Sequence, residues 1–365
     1  MRTCRASAAT AAQCSRIASS QRATTRMGIT WEQMRQRIPS PSPAAAVLVA
    51  LVLAISVAGC GGQGPGDEAG GGGRAVPVDL ALDFTPNAVH APIYAAVRLG
   101  LDRREGIRLR IRRPGAGPDA LKLVASGRVA VGVLDIHDLA IARERGADLV
   151  GVGALVGRPL AALIARPDVR RPRDLEGRTV GVSGLPSDPA FLRAVLHADG
   201  GDLDRVRLVT IGFSAVQRLL TGRVDAAPAF WNAEGVALRE HGMAVREFRV
   251  DDYGAPRYPE VVLMTARRTL QAHRDRVAAV VRALAAGIRA VRRDPGAAVG
   301  DIARAAGSGD RPLVRAELDA VAPAFADGLT LDRAVLERWA DFDARIGLVR
   351  RRPDVGRAFA FGLAG

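Results

Sequence analysis

Two short runs combine aromatic and polar residues in a way that suits a flat, polar ring. Residues 230–234 read Phe-Trp-Asn-Ala-Glu. Trp231 offers a stacking face, Asn232 both donates and accepts hydrogen bonds, and Glu234 supplies an acceptor for an amino group. The run equally fits a structural role, with Phe230 and Trp231 in a core and Glu234 as an acid near the positive end of a helix dipole. The residues alone leave both interpretations open.

The second run is residues 82–94, Leu-Asp-Phe-Thr-Pro-Asn-Ala-Val-His-Ala-Pro-Ile-Tyr. It predicts a strand end, a turn and a helix start, because Thr85 and Asn87 suit turn and N-cap positions. In an open parallel sheet the ligand crevice lies beyond the carboxyl ends of the strands. An ordinary capped turn with a packed or capping histidine is the alternative. The side chains that we expect to face a ligand are Phe84, Thr85, Asn87, His90 and Tyr94.

Other candidate ligand-binding residues follow later strands or lie near a later turn. His137 stands where a third strand ends and a helix begins, so a polar cap is its alternative role. Pro186 and Ser187 open a helix, and Tyr258 lies in the turn-rich run 251–259. No G-x-S-x-G surrounds Ser187 and no Ser-His-Asp set can be assembled from spacing, so we expect no catalytic residue.

Composition argues against metal, cofactor and nucleic-acid chemistry. The five His are dispersed, and the three Cys (Cys4, Cys14 and Cys60) lie in the first sixth of the chain without zinc-type spacing. Seven Arg against one acid, Glu32, give residues 1–59 a charge of +6 out of the net +14. The remaining +8 is scattered rather than gathered into a basic stripe. We therefore expect no metal, no cofactor and no nucleic acid.

The N-terminal part has the order of an export signal. Arg35 and Arg37 precede the apolar run 44–58, which is short for a membrane span of about 20 residues. Val-Ala-Gly-Cys at 57–60 resembles the bacterial lipoprotein box, in which the cysteine is lipidated and becomes the mature N-terminus. A plain signal with a chance cysteine, or a short anchor helix, is the alternative.

These features divide the N-terminal part into two segments. Residues 1–59 are the predicted signal region, with Met34 or Met27 as an alternative start because the upstream residues contain no apolar run. Residues 60–75 hold the predicted lipidated Cys60 and a Gly-rich flexible linker.

The rest of the 365-residue chain is long enough for about two domains, and 48% hydrophobic against 25% charged residues excludes wholesale disorder. Short apolar runs alternate with amphipathic stretches from Val76 onward, which predicts parallel strands with helical crossovers. The predicted strands are 78–84, 107–111, 129–134, 149–156, 179–183, 206–211 and 224–229, and further apolar runs lie at 160–165 and 261–264. The predicted helices between them are 91–99, 119–126, 139–144, 188–197, 215–220 and 234–240. A later helix is predicted from an apolar stripe between Val277 and Val291.

Two strand–helix series followed by helices predict an α/β fold of two αβα lobes with a ligand cleft between them. The predicted boundaries are 76–168 plus 262–365 for a discontinuous lobe I and 169–261 for lobe II. The chain would cross between the lobes near 166–173 and 256–264, and two such connections allow the cleft to close around a ligand.

Residues 82–94 resemble the L-D-W-T-P-N-x-x-H-x-x-x-Y signature of the thiamine-pyrimidine-synthase-like solute-binding family of ABC importers. Phe84 replaces the Trp of that signature. The run 230–235 resembles the family's aromatic-Trp-Asn-x-Glu-Gly segment, whereas Ser214 and Gln217 depart from its Gly-Phe-Asn-x-x-Pro version. The positions that match the signature are Asp83, Thr85, Pro86, Asn87, His90 and Tyr94.

This resemblance implies a type II periplasmic-binding-protein fold. It also implies a monomeric, lipid-anchored protein outside the cytoplasm that delivers a thiamine pyrimidine precursor to a permease and its ATPase. A riboflavin, sulfonate or nitrate-type binder shares the wider fold, and a ligand sensor fits the same features. The pyrimidine synthases of this fold consume their own histidine, need iron and carry a cysteine-rich motif; this chain has no cysteine after Cys60.

Overall fold

The computed structural model describes residues 75–113, 119–185, 187–307 and 309–363. The predicted signal region, Cys60, the Gly-rich linker up to residue 74 and Pro186 lie outside these ranges. Among the described residues, every helix is too short or too polar to cross a membrane.

The regular elements of the described residues alternate as the apolar pattern predicts. The strands are β1 (Val76–Ala81), β2 (Ile107–Arg112), β3 (Val131–Asp135), β4 (Leu149–Val156), β5 (Ala161–Ala165), β6 (Thr179–Val182), β7 (Arg207–Thr210), β8 (Ala226–Phe230), β9 (Arg246–Arg249) and β10 (Val261–Ala266). The α-helices are α1 (Ala91–Arg98), α2 (Leu101–Arg104), α3 (Asp119–Ala125), α4 (Ile136–Glu144), α5 (Asp188–Ala198), α6 (Ala215–Leu220), α7 (Glu234–Glu240), α8 (Arg267–Ala272), α9 (Arg274–Arg293), α10 (Pro295–Ala306), α11 (Arg311–Val321), α12 (Arg333–Arg345) and α13 (Val355–Ala358).

The strands form two mixed five-stranded sheets. The first has the order β2-β1-β3-β10-β4, in which β1 runs parallel to β2 and β3 while β10 runs antiparallel to β3 and β4. The second has the order β7-β6-β8-β5-β9, in which β6 runs parallel to β7 and β8 while β5 runs antiparallel to β8 and β9. Each sheet carries helices, so the predicted two-lobed α/β fold is confirmed.

The position of β5 differs from the sequence expectation, which placed residues 160–165 in lobe I. β5 pairs with β8 and β9, so the chain passes from the first sheet to the second at 157–160, before the Pro- and Arg-rich run 166–173. A short apolar run is compatible with either sheet, and only its partners decide between them. The boundaries of the lobes stay a prediction, with this connection moved to 157–160.

The helix α9 packs against α1 and α2, next to the first sheet. Its predicted apolar stripe, from Val277 to Val291, is buried. Gly287 is required at the crossing with α1, because a Cβ there would lie 2.1 Å from the carbonyl oxygen of Pro92. The C-terminal part of the chain thus returns to the lobe that the first strands build.

Two elements differ from the predicted pattern. The first strand ends at Ala81 rather than at residue 84, which leaves Asp83, Phe84 and Thr85 in a loop. The strand β9 was not predicted, because Arg-Glu-Phe-Arg offers only one buried apolar residue, Phe248, to the alternating pattern.

Candidate functional site

Each sheet has one edge at which loops follow the ends of its strands. At this edge each sheet lies beside the two segments that connect the sheets. In the first sheet Val261, at the start of β10, lies opposite Asp135 at the end of β3. In the second sheet Ala161, at the start of β5, lies opposite Phe230 at the end of β8. Ligands of open α/β sheets bind beyond such carboxyl ends. The crevice between these two edges is therefore the candidate site.

Glu260 joins the two connecting segments at the base of this crevice. Its Oε2 accepts hydrogen bonds from the backbone N–H groups of Leu160 at 2.6 Å and Ala161 at 3.0 Å, and its backbone carbonyl accepts one from Ile136. The side chain is fully buried, and Oε1 has no hydrogen-bond partner among the described residues. Burial, with a smaller contribution from Asp135, raises the pKa of Glu260 to about 8.

His137 stands next to Glu260 at the first turn of α4. The backbone N–H of His137 donates to Asp135, the N-cap residue, at 2.7 Å, and its Nδ1 lies 2.9 Å from a carboxylate oxygen of Asp343. Burial alone would lower the pKa of His137, but the carboxylates of Asp343, Asp135 and Glu260 outweigh burial and raise it to about 10. His137 is therefore an imidazolium at neutral pH, and Nδ1–H donates to Asp343.

Asp135, His137 and Glu260 also have the spacing of a small metal site, because one potential ligand atom of each lies within 4.8 Å of the others. The imidazolium of His137 already supplies a positive charge among these carboxylates. One cation, His137, therefore faces the acids Asp135, Glu260 and Asp343 in this cluster.

Asp138 extends the acidic character into the crevice. Burial, together with the nearby carboxylates of Asp135, Asp83 and Asp188 and against the opposing effect of His137, raises the pKa of Asp138 to about 7. Asp83 follows β1 in the first lobe and Asp188 begins α5 in the second. Carboxylates of both lobes therefore act on the same position.

His90 holds the loop that follows β1. The backbone N–H of Asn87 donates to its Nδ1 at 3.2 Å, so Nε2 carries the proton in the neutral ring and donates to Asp83 at 2.8 Å. Asn87 caps the next turn by accepting from the N–H of Val89. His90 is only 1% exposed, which corresponds to the packing and capping alternative for this residue.

Phe84 and Phe213 bring loops of the two lobes into contact. Their rings meet edge to face with centroids 5.2 Å apart. Phe84 follows β1 and is half-buried, whereas Phe213 follows β7 and is 59% exposed. Thr85, beside Phe84, is exposed. The pair forms an apolar contact across the crevice.

The loop after β6 is held by a carboxylate. Asp188 accepts hydrogen bonds from the hydroxyl of Ser183 at 2.8 Å and from the N–H of Gly184 at 2.9 Å. Ser187 is the N-cap of α5, but its side chain makes no capping hydrogen bond. Pro186 lies outside the described residues.

The run 230–234 is more enclosed than a ligand surface requires. Trp231 is 5% exposed; its indole N–H donates to the carbonyl of Pro159 at 3.1 Å, and the guanidinium of Arg249 lies 4.3 Å from its ring centre. Asn232 is buried and its Oδ1 has no partner among the described residues. Glu234 accepts from the N–H of Phe230, and burial raises its pKa. These contacts are those of the structural alternative, and the ligand roles stay a prediction.

Glu317 of α11 is a residue that the sequence analysis missed. Burial and the nearby carboxylate of Glu234 raise its pKa to about 7, and the N–H of Ala88 hydrogen-bonds to it. α11 packs on α7, so this acid reaches the second lobe. An acid on an amphipathic helix carries no pattern that separates it from solvated acids, so no sequence signal was available.

Two further predicted residues, Tyr258 and Tyr94, differ in their burial. Tyr258 is fully buried, meets His137 edge to face at 4.8 Å and stacks on Phe342 at 6.2 Å. Tyr94 lies on α1, where burial raises its pKa against the opposing effect of Arg113. Asp135 directly follows the predicted strand 129–134, so its position was available from the sequence, whereas no pattern marks Glu260.

Comparison with known proteins assigns the chain to a family. Residues 87–298 match the model of the family described as NMT1/THI5 like. The chain belongs to this family. It is 31% identical over 241 residues to the formylaminopyrimidine-binding protein of Halalkalibacterium halodurans, covering 65% of this chain and 73% of that protein.

Two other similar proteins, one a synthase and one a solved structure, show what else the chain resembles. The 4-amino-5-hydroxymethyl-2-methylpyrimidine phosphate synthase of Uromyces fabae is 24% identical over 269 residues, covering 66% of this chain and 74% of that protein. The alkanesulfonate-binding protein SsuA of Xanthomonas axonopodis pv. citri, solved with MOPS bound, superposes with a TM-score of 0.64 at 19% identity, covering 79% of this chain and 99% of that chain. The last likeness establishes the periplasmic-binding-protein fold.

Proposed function

We propose that this chain is the substrate-binding lipoprotein of an ABC importer and captures a small aminopyrimidine, a thiamine pyrimidine precursor, between its lobes. The observation that carries the proposal is the meeting of carboxylates and aromatic rings from both lobes at the facing sheet edges. The similarity to a formylaminopyrimidine-binding protein supports the same ligand class.

An aminopyrimidine suits this crevice chemically. Its amino group donates hydrogen bonds, and Asp138 and Asp83 are acceptors that sit among other carboxylates. A hydrogen bond to a charged acceptor contributes about 1.5–3 kcal/mol. The flat ring suits the aromatic contact of Phe84 with Phe213.

Closure of the crevice is the second part of the proposal. The segments 157–160 and 254–260 connect the sheets, and Glu260 fastens one to the other. Rotation of the lobes about this point would open and close the crevice without breaking either sheet. Recognition and closure, with no covalent step, would then be the function.

The export signal and Cys60 support a lipid-anchored protein on the outer face of the cytoplasmic membrane. Its partners would be a permease and an ATPase, and it would act as a monomer. A surface-tethered ligand sensor has the same sequence features, and neighbouring permease and ATPase genes would separate the two roles.

An enzyme is the alternative from another class, since synthases occur among the relatives. His90 is buried between Asn87 and Asp83, and no cysteine follows Cys60. Both observations support a binding protein over a synthase that consumes a histidine and carries a cysteine-rich motif.

A thermal-shift screen of the full chain in neutral detergent tests the ligand class. The probes are 4-amino-5-hydroxymethyl-2-methylpyrimidine, its analogue without the amino group, riboflavin, nitrate and an alkanesulfonate. At 100 times its dissociation constant a ligand adds about 2.7 kcal/mol to the free energy of unfolding, which corresponds to about 5 °C in Tm. We expect this shift for the aminopyrimidine. A larger shift with the flavin, nitrate or the sulfonate would contradict the proposed ligand.

A further inference from the structure

A cavity of about 670 Å³ lies at the opposite edge of the first sheet from the crevice. It is lined by Pro77 and Val78 at the start of β1, by Ala130 and Val131 at the start of β3, and by residues of α8 and the first turn of α9. It is therefore separate from the proposed pyrimidine site.

The lining is cationic. Arg128, Arg268 and Arg276 line the cavity together with His273, and none of the three arginines has a carboxylate partner among the described residues. Arg268 donates only to the carbonyl of Ala125, at the end of α3. The three arginine side chains are exposed at the cavity. Cations that line a cavity without counter-charges favour the uptake of an anion.

The one carboxylate of the described lining does not neutralise these cations. Asp79 is paired with Arg110 at 2.9 Å and with Arg112 at 3.1 Å, both on β2. Elsewhere arginines are commonly paired, as Arg282 is with Glu105. The three lining arginines are therefore available to a ligand.

The chain enters the described residues beside this cavity. β1 begins at Val76, one residue before the lining residue Pro77. If Cys60 is lipidated, as proposed above, the 15 residues before Ala75 can separate the lipid from Ala75 by at most about 50 Å. The cavity would thus lie within reach of phosphate groups at the membrane surface.

We propose that this cavity binds a phosphate group, held by the guanidinium groups of Arg128, Arg268 and Arg276. Arginine suits this ligand because its planar fork donates two parallel hydrogen bonds to phosphate oxygens. The phosphate belongs either to an anionic lipid headgroup or to a soluble phosphate compound, and the geometry of the ligand group is the same in both cases.

Hydrogen–deuterium exchange of the full chain tests this proposal. One arm compares nanodiscs of phosphatidylglycerol with nanodiscs of phosphatidylcholine, and the other adds pyrophosphate to the chain in neutral detergent. We expect slower exchange at residues 126–130 and 268–277. In Arg128→Gln/Arg276→Gln the pyrophosphate concentration for half of the protection should rise about tenfold or more. Arg193→Gln/Arg338→Gln removes the same charge from two exposed sites elsewhere and should leave protection unchanged.

The outcomes distinguish the two sources of the phosphate group and test the lipid anchor separately from the cavity. Protection by phosphatidylglycerol alone assigns a lipid headgroup, and protection by pyrophosphate assigns a soluble phosphate compound. No protection in either arm, or protection that survives Arg128→Gln/Arg276→Gln, overturns the proposal, as does equal loss in the control variant. Failure of the chain to enter nanodiscs contradicts the lipid anchor, while the pyrophosphate arm still tests the cavity.

Discussion

Glu260 accepts a 2.6 Å hydrogen bond from the backbone N–H of Leu160, so a carboxyl group in one connection between the sheets holds the end of the other. The two residues lie 100 positions apart in the chain. The bond fixes the distance between the two connections at the base of the crevice. A rotation of the lobes would therefore pivot at this point rather than slide along it.

The stability of the folded chain should depend on pH through Glu260. Folding raises the pKa of Glu260 from 4.5 to about 8, so the folded state holds this proton more tightly than the unfolded state. The associated stability is present below the lower pKa and is lost as pH rises through the higher one. We expect the free energy of unfolding to fall between about pH 5 and pH 8, and to fall less steeply in Glu260→Gln.

Urea denaturation at a series of pH values measures this slope. Glu240→Gln is the matched control, because it removes an exposed Glu at the end of α7. An equally steep fall in Glu260→Gln and in the unaltered chain would contradict the prediction.

The pair of His137 with Asp343 should be a large contribution to stability. Asp343 is fully buried, so His137→Gln leaves its carboxylate without the adjacent cation. We expect a loss of about 3–5 kcal/mol at neutral pH, because an unpaired buried charge is costly. The double variant His137→Gln/Asp343→Asn should recover much of the loss. Denaturation of all four members of this cycle checks the prediction, and additive losses would argue against it.

How much of this could be predicted from the sequence differs between the fold and the site. Strand β4, helix α6 and helix α7 agree with the predicted bounds, because apolar periodicity and flanking turn residues define them. The sheet to which β5 belongs could not be predicted, since a run of small apolar residues does not identify its partners.

Only part of the site could be predicted from the sequence, because the rest depends on contacts between distant residues. His90 and Asn87 were selected by position after a strand, but their mutual hydrogen bond makes them a support for the loop. Glu260 was missed because its role depends on Leu160, and a contact across 100 residues leaves no spacing to recognise. The sequence thus predicted where the sheet edges lie. It did not predict which polar groups form hydrogen bonds with one another there.

Phe84 and Phe213 should couple in ligand binding. Phe213 is largely exposed, so Phe213→Ala should leave Tm nearly unchanged and weaken the aminopyrimidine two- to tenfold, since an edge-to-face pair contributes about 0.5–1.5 kcal/mol. Titration calorimetry of each single variant and of the double variant measures the coupling. Leu208→Ala, a change of an exposed apolar residue on β7, is the control. Independent effects of the two Phe substitutions would contradict a contact that matters for closure.

The predicted anchor has its own test. In Cys60→Ser the thiol that would receive the lipid is absent, so the chain should leave the membrane fraction or stay unprocessed. Membrane fractionation and the mass of the mature chain provide the measurement. Normal retention together with normal mature mass would remove the lipoprotein box from the proposal.

The last prediction separates the two roles of Trp231 and Glu234. Trp231→Phe removes the indole N–H that donates to Pro159, so a structural role predicts a loss of about 1 kcal/mol of stability in the ligand-free chain. Glu234→Gln keeps the shape but can turn a donor toward the N–H of Phe230, with a similar cost in stability.

A ligand role instead predicts that Glu234→Gln weakens binding of the aminopyrimidine about tenfold, at 1.4 kcal/mol per decade, and affects binding of the analogue without the amino group much less. Because Arg249 already covers part of the Trp231 ring, we expect lowered Tm in both variants and equal loss of affinity for both compounds. Calorimetric titration and melting of both variants decide the matter, and a selective loss for the aminopyrimidine would place Glu234 in contact with the ligand.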